Sequence, residues 1–559
     1  MSTTDHFAAA ELARLCAEKG VHHAVISPGS RNAPLVIAFS QQPAITCLQV
    51  IDERSAAFFA LGMAQQLHRP VALICTSGTA VLNYGPAVAE AFYQRIPLLV
   101  ISADRPEEWT DQGEGQTIRQ RGVLAPHLKK SVQLPRATDE LARWQAGRLI
   151  NAAIDATLLP APGPVQVNVP FAEPLYGHAE DTNAVRLVAP MPTASVMLPD
   201  KGWRARQLSQ SLKVMVLVGQ GLWGDAFKGQ LKQWAKLPQC AVLTEATSNL
   251  DDDAFITCID RTLEGVHAGN ETDLRPDILI TFGGAVVSKR IKGLLRKWKP
   301  DQHWHIDEAW RGYDTYQSLT HDIAVAPHVF LAQMEGQVAP NESLYGEAWR
   351  MVAQRMREGH EAVLGEAPFC DLAVFGTLLE RMPAGSDVHL ANSTAARYVQ
   401  LFDRRRGLHF FSNRGTSGID GCTSTAVGAA HATGRPTTLI TGDVAFCYDS
   451  NAFWNNHLPP ELRVVVIDNG GGNIFRYIEG PDKDPALLPW FEAPHGRDIP
   501  ALVKSYGLAC YQAHDAGTLA KGLDDLYGPH ERPAVLVVRT DAEVSPRILR
   551  AYFAKLHKP

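Results

Sequence analysis

Short apolar runs recur along this chain, and most end in a polar or glycine-rich cluster. In the first third, Ala24–Ser27 runs into Pro28-Gly29-Ser30-Arg31, and Thr46–Ile51 ends at Asp52-Glu53-Arg54. Val71–Cys75 ends in Thr76-Ser77-Gly78-Thr79, Leu98–Ser102 precedes Ala103-Asp104-Arg105-Pro106, and Val165–Val169 closes the set. Amphipathic stretches lie between the runs, the clearest from Ser55 to about Gln66. Apolar strands alternating with helices predict a parallel sheet covered on both faces. In such sheets ligands sit at the carboxyl ends of strands, where these polar clusters fall.

The pattern repeats twice. A mixed segment from about Tyr176 to Ser195, with Pro190 and Pro192, reads as a linker. A second unit follows: Val214–Val218, Ala241–Thr244, Asp277–Phe282 and His303–Ile306 are strand-like. Its glycine pairs, Gly219-Gln220-Gly221 and Gly283-Gly284, resemble nucleotide-binding turns. The full G-x-G-x-x-G with an acid downstream is missing, which argues against FAD or NAD there. Pro327 to Pro368 reads as charged, helical connecting chain. The third unit runs from Asp387–Leu390 through Leu439–Thr441 and Val464–Ile467 to Val535–Val538. The expected architecture is α/β, with three doubly wound parallel-sheet domains at 1–185, 196–340 and 365–559.

Length agrees, since 559 residues suggest about three to four domains. Hydrophobic residues make up 45% and charged residues 20%, which suits a large core. A net charge of −6 gives no reason to expect a nucleic acid partner. No window is apolar enough for a membrane span, and the N-terminus lacks a signal-peptide pattern. The nine scattered cysteines, with no Cys-x-x-Cys, read as buried thiols in a reducing compartment. A cytoplasmic enzyme is expected.

The chemistry is densest in the third unit. Its strand Leu439-Ile440-Thr441 ends in Gly442-Asp443, and the next strand ends in Asp468-Asn469-Gly470-Gly471-Gly472. The two ends lie about one strand–helix–strand crossover apart. An acid and an amide placed so can meet on one octahedral cation, which also takes phosphate oxygens. The glycines let backbone groups approach both. This arrangement resembles the diphosphate–metal motif of thiamine-diphosphate enzymes. The resemblance assigns Mg²⁺ (or Mn²⁺) to Asp443, Asn469 and a carbonyl near Gly471. It also implies a glutamate that holds the cofactor's aminopyrimidine in its imino form, and Glu53, at a strand end of the first unit, takes that place. By itself Asp52-Glu53-Arg54 reads first as an acidic helix start; the metal motif turns the balance to the cofactor reading. The same resemblance puts Thr76, Ser77, Gly78, Ile419 and Gly442 at the cofactor, and places each site between two subunits of a homodimer or dimer of dimers.

Further segments narrow the family. These are Ser27-Pro28-Gly29-Ser30-Arg31-Asn32-Ala33-Pro34, Asp52-Glu53-Arg54-Ser55-Ala56, Ala103-Asp104-Arg105-Pro106, Gln116-Thr117-Ile118-Arg119-Gln120 and Ser412-Asn413-Arg414-Gly415-Thr416-Ser417-Gly418. Together they resemble the 2-succinyl-5-enolpyruvyl-6-hydroxy-3-cyclohexene-1-carboxylate (SEPHCHC) synthases of menaquinone biosynthesis. That family decarboxylates 2-oxoglutarate on thiamine diphosphate and adds the resulting carbanion to isochorismate. Both substrates carry two carboxylates, which planar arginine forks accept bidentately. The resemblance places Ser393 and Arg397 at the 2-oxoglutarate-derived carboxylate and counts Arg414 and Ser30 among the substrate-binding positions. It puts Arg31, Arg105, Lys289 and Arg290 nearer isochorismate, and Gln116 at the intermediate. Arg397 lies four positions after Ser393, which predicts that both share a helix face. The family's loop usually reads Asn-Asn where this chain has Asp468-Asn469, so Asp468 is expected to point away or to pair with a cation. No dedicated histidine base is evident. The alternatives are another thiamine-dependent 2-oxo acid decarboxylase or carboligase, or a catalytically silent homologue.

Overall fold

The computed structural model describes residues 2–136, 138–180, 185–190, 197–198, 200–309, 312–403, 407–477 and 486–556. Among them lie three parallel sheets, two of six strands and one of five. The first runs in the order Thr46–Gln49, His23–Ile26, Val71–Cys75, Leu98–Asp104, Val165–Pro170, Lys130–Gln133. The third runs His409–Ser412, Asp387–Leu390, Thr437–Gly442, Leu462–Asp468, Ala534–Arg539, Ala509–Ala513. Their topologies are identical: in each, the chain's first strand has the second on one side and the third on the other. The strand order therefore reverses beside that first strand, and open α/β sheets place ligands at this switch point. The middle sheet runs Cys240–Thr244, Val214–Val218, Ile278–Phe282, Gln302–Ile306, His321–Ile323.

Every predicted strand is present, and except for the edge strand Thr46–Gln49 they are largely buried on both faces as parallel strands require. The periodicity missed four edge strands: His409–Ser412, short but mostly buried, and Lys130–Gln133, His321–Ile323 and Ala509–Ala513, which are partly exposed and carry no apolar run. The expected linker also needs correcting. His178–Glu180, within it, pairs antiparallel with Ser2–Thr4. Residues 181–184 and 191–195 of that stretch lie outside the described ones.

The helix from Glu53 to Leu67 departs most from its pattern. Ser55 to Ala64 is buried without a break, so no solvent face remains. Its outer side is covered by the helix Cys422–Thr433 of the third domain. The two touch backbone to backbone: a Cβ at Gly62 would stand 2.0 Å from the Thr425 carbonyl oxygen, and one at Gly428 would stand 2.0 Å from that of Phe59. Each helix follows the second strand of its own sheet, so equivalent helices meet face to face. One continuous core joins the two domains through Phe58, Phe59, Val427 and Phe446. Burying a phenylalanine side chain contributes about 1.5–3 kcal/mol.

Candidate active site

Asp52 caps the helix at Glu53, accepting from the Ser55 amide at 3.2 Å, and also accepts from Asn451 Nδ2 at 2.8 Å. The capping role belongs to Asp52, which leaves the Glu53 carboxyl in the first turn, 3.4 Å from Asn83 Nδ2. Glu53 faces a cleft of ≈ 500 Å³ walled by Pro28-Gly29, Thr76 to Ala80 and Gln116 to Ile118. These loops crowd together: a Cβ at Gly29 would fall 2.3 Å from Thr76 Cβ. Gly78 adopts φ +87° and donates its amide to Gln120 Oε1 at 3.1 Å. The hydroxyls of Thr76 and Ser77 are buried with no partner. Buried hydroxyls normally find one, so a cleft that leaves two unmatched suits a polar ligand.

Arg31 is 4% exposed and donates to the Phe171 carbonyl at 3.1 Å and to Glu173 at 3.2 Å. Burial, and then the charge of Arg105, push its guanidinium below the usual range. Arg105 pairs with Glu114 at 3.2 Å. Neither Arg31 nor Arg105 has a partner for its Nε. Ser30 is exposed beside Arg31, and Gln116 lines the Glu53 cleft with φ 53°.

In the third domain, Asp443 follows directly on the strand Thr437–Gly442 and opens a short helix. Its oxygens accept from the Val444 amide at 2.7 Å and the Gly471 amide at 2.8 Å. Asp443, Asp468 and His495 bring ligand atoms within 4.8 Å of one another, and His495 Nε2 lies 3.3 Å from Asp443. Asp468 thus points into the cluster. Asn469 Oδ1 is buried with no partner. Gly471 has φ +158°, and a Cβ there would meet the Glu492 carbonyl oxygen at 2.6 Å. Burial, with Asp468 adding to it, pushes Asp443 up to about 6. Hard oxygen donors, an orphaned amide oxygen and two crowded acids are what a divalent cation relieves. The residues fit the metal that the motif implies. Ile419 packs with Ala391, Cys422 and Ala445 beside this end of the sheet.

The remaining basic residues divide. Arg414 donates to Asn392 Oδ1 at 2.9 Å and is pushed down chiefly by burial, with Arg397 nearby. Arg397 is pushed down by its own burial. Ser393 has φ 76° and precedes the helix Thr394–Val399. It is not helical, so the shared face predicted for Ser393 and Arg397 does not exist; the left-handed backbone at Ser393 breaks the periodicity that argument needs. Lys289 is exposed. Arg290 is tied up: it pairs with Glu264, donates to the Asp260 carbonyl at 3.3 Å and lies 5.0 Å over the Phe553 ring. Another cation of this helix, Lys292, is pushed down by burial, with Glu245 opposing that and Arg414 adding to it. Lys292 and His495 went unread in the sequence. Lys292 follows Lys289 by three positions on the Lys289–Trp298 helix, a signal that was available. His495 sits in a loop with no periodicity to place it.

Residues 7–123 match the family model described as thiamine pyrophosphate enzyme, N-terminal TPP binding domain. Residues 200–384 match the middle domain of thiamine pyrophosphate enzymes. The fold and these matches define a thiamine-diphosphate-dependent enzyme. Within that class, the chain is 42% identical to the SEPHCHC synthase of Flavobacterium psychrophilum and 40% to that of Flavobacterium johnsoniae, each over 98% of both chains. It is 39% identical to the SEPHCHC synthase of Desulfotalea psychrophila, over 95% of this chain and 98% of the relative. The chain belongs to the SEPHCHC synthase family. No helix among the described residues is long and apolar enough to cross a membrane.

Proposed function

We propose that this chain catalyses the reaction for which its relatives are named, forming SEPHCHC from 2-oxoglutarate and isochorismate with loss of CO₂. The observation that carries the reading is one pair of sites in a chain aligned over 98% of its length with these synthases: Glu53 in its cleft, and Asp443 bonded to Gly471 with the unpartnered Asn469 oxygen on the same loop. Thiamine diphosphate, when bound, supplies the nucleophilic carbon and the electron sink. Glu53 hydrogen-bonds the aminopyrimidine, and the unmatched Thr76 and Ser77 hydroxyls orient it. Asp443, Asn469 Oδ1 and the Gly471 carbonyl hold Mg²⁺ or Mn²⁺ against the diphosphate. Arg397 and Arg414, with Ser393, take the carboxylate derived from 2-oxoglutarate. Ser30, Arg31, Arg105 and Lys289 take isochorismate, with Gln116 at the intermediate. Arg290 joins them only by giving up Glu264.

Every residue lining the Glu53 cleft comes from the first domain. That supports a site completed by the third domain of a second copy, in a homodimer or dimer of dimers. A coupled assay with thiamine diphosphate, Mg²⁺ and 2-oxoglutarate, with and without isochorismate, tests the reading by mass spectrometry. The expected result is isochorismate-dependent SEPHCHC, lost by at least about a hundredfold in Glu53→Gln while the cofactor still binds. CO₂ release without adduct would assign another acceptor, and no turnover with tight cofactor binding would assign a silent homologue.

A further inference from the structure

Glu90 lies on the helix Gly85–Gln94 of the first domain and is 1% exposed. No cation pairs with it at short range among the described residues; its carboxylate is spent on a loop more than 300 positions away. Glu90 Oε1 accepts from the Gly415 amide at 2.7 Å. Oε2 accepts from the Thr416 amide at 2.7 Å and the Thr416 hydroxyl at 2.6 Å. The fit is close enough to require glycine: a Cβ at Gly415 would stand 2.7 Å from the Glu90 carbonyl oxygen and 3.0 Å from Oε1. One turn on, Gln94 also donates to Glu90 and reaches the Ser412 carbonyl at 3.2 Å. Gln220 of the middle domain donates to Gln94 Oε1 at 3.1 Å and to the same Ser412 carbonyl at 2.9 Å. All three domains thus grip residues 412 to 416, and Arg414 stands at the centre of that grip.

A buried carboxylate that accepts three hydrogen bonds from one short loop fixes the loop's backbone and the direction of the side chain between its anchors. We propose that Glu90 is a positioning residue for substrate recognition: it latches the 412–416 loop so that Arg414 presents its guanidinium to the 2-oxoglutarate carboxylate. This rests on the carboxylate-binding role proposed above for Arg414. Glu90 is buried and lies outside both the Glu53 cleft and the Asp443 cluster, so its role runs through Arg414. Its amide analogue keeps the shape, but one of its two positions turns from acceptor to donor, so the Gly415 and Thr416 donors can no longer all be met.

The test is steady-state kinetics on the full-length holoenzyme of Glu90→Gln, Thr416→Val, Arg414→Ala and the double variant Glu90→Gln/Arg414→Ala. Thiamine diphosphate affinity and Tm are followed in parallel. Loss of a charge-assisted bond predicts a KM for 2-oxoglutarate raised about ten- to a hundredfold in Glu90→Gln. Thr416→Val, which removes one hydroxyl bond, shifts KM the same way by several-fold. Cofactor affinity stays within about twofold, and the double variant is no worse than Arg414→Ala alone. If Arg414→Ala raises KM and Glu90→Gln does not, the latch is overturned while the carboxylate reading stands. If Arg414→Ala leaves KM unchanged, the carboxylate reading falls and the latch with it. Additive losses in the double variant overturn the route through Arg414. Should Glu90→Gln fail to fold, Thr416→Val decides: an unchanged KM overturns the latch.

Discussion

Asn469 keeps its side-chain oxygen buried without a donor, and its amide group lies near the carboxyl of Asp371, whose Oδ2 is likewise buried without a partner. Asp371 is fully buried and is held by Thr540 Oγ1 at 2.6 Å and Ser545 Oγ at 3.0 Å. An acid on the nitrogen side of an amide sets which way the amide faces. If Asn469 holds the cation as proposed, Asp371→Asn should let its amide turn and offer nitrogen to that cation. A calorimetric Mg²⁺ titration in the presence of thiamine diphosphate should then show affinity reduced by about ten- to a hundredfold, as for other outer partners of metal ligands. Asp449 poses a different single-residue case. It is fully buried, accepts from the Ser424 amide at 2.7 Å and hydroxyl at 2.8 Å, and is pushed up to about 7 by burial. Between the ordinary aspartate range and pH 7 the folded chain keeps a proton that the unfolded chain has released. Its contribution to stability therefore falls as pH rises through that window and is flat above it. Asp449→Asn cannot ionise, so its Tm relative to the parent should rise from pH 5 to pH 8. A gap that stays constant with pH would count against an ionising Asp449.

The contact of the two equivalent helices depends on having no side chain at Gly62 and Gly428, since what a Cβ would strike is backbone. Gly62→Ala should destabilise by about 1–3 kcal/mol, as overpacking does. Gly293→Ala lies mid-helix with nothing within 4 Å of the added carbon. It should be neutral or stabilising by about 0.5–1 kcal/mol; thermal melts of the two variants check the contrast. The sequence showed that the Ser55–Gln66 region is helical because its spacing is local. It did not show that the outer face is buried, because the covering helix is remote in the chain. For the same reason Asp443 and Asn469 were legible, each closing a strand of one crossover, whereas His495 reaches the cluster only through tertiary folding. Lys130–Gln133 and Ala509–Ala513 were invisible for an opposite reason: an edge strand is half solvated, so it carries no apolar run to read.

At the scale of the whole molecule, two six-stranded halves of identical topology each present one switch point. One carries Glu53 and the other Asp443, and the middle domain braces both through Gln220. If a site needs the halves of two copies, activity per chain should fall on dilution while the chains remain folded. Specific activity measured against sedimentation mass over a dilution series checks this, and constant activity in a monomeric sample would reject it. The helix-to-helix seam also has a consequence in time. The Glu53–Leu67 helix leaves the ribosome about 350 residues before its cover, Cys422–Thr433, so at ~5–20 residues per second its apolar outer face waits on the order of tens of seconds. During synthesis the first domain is therefore a nascent client that must be shielded from its neighbours on the same message until the far end of its own chain arrives.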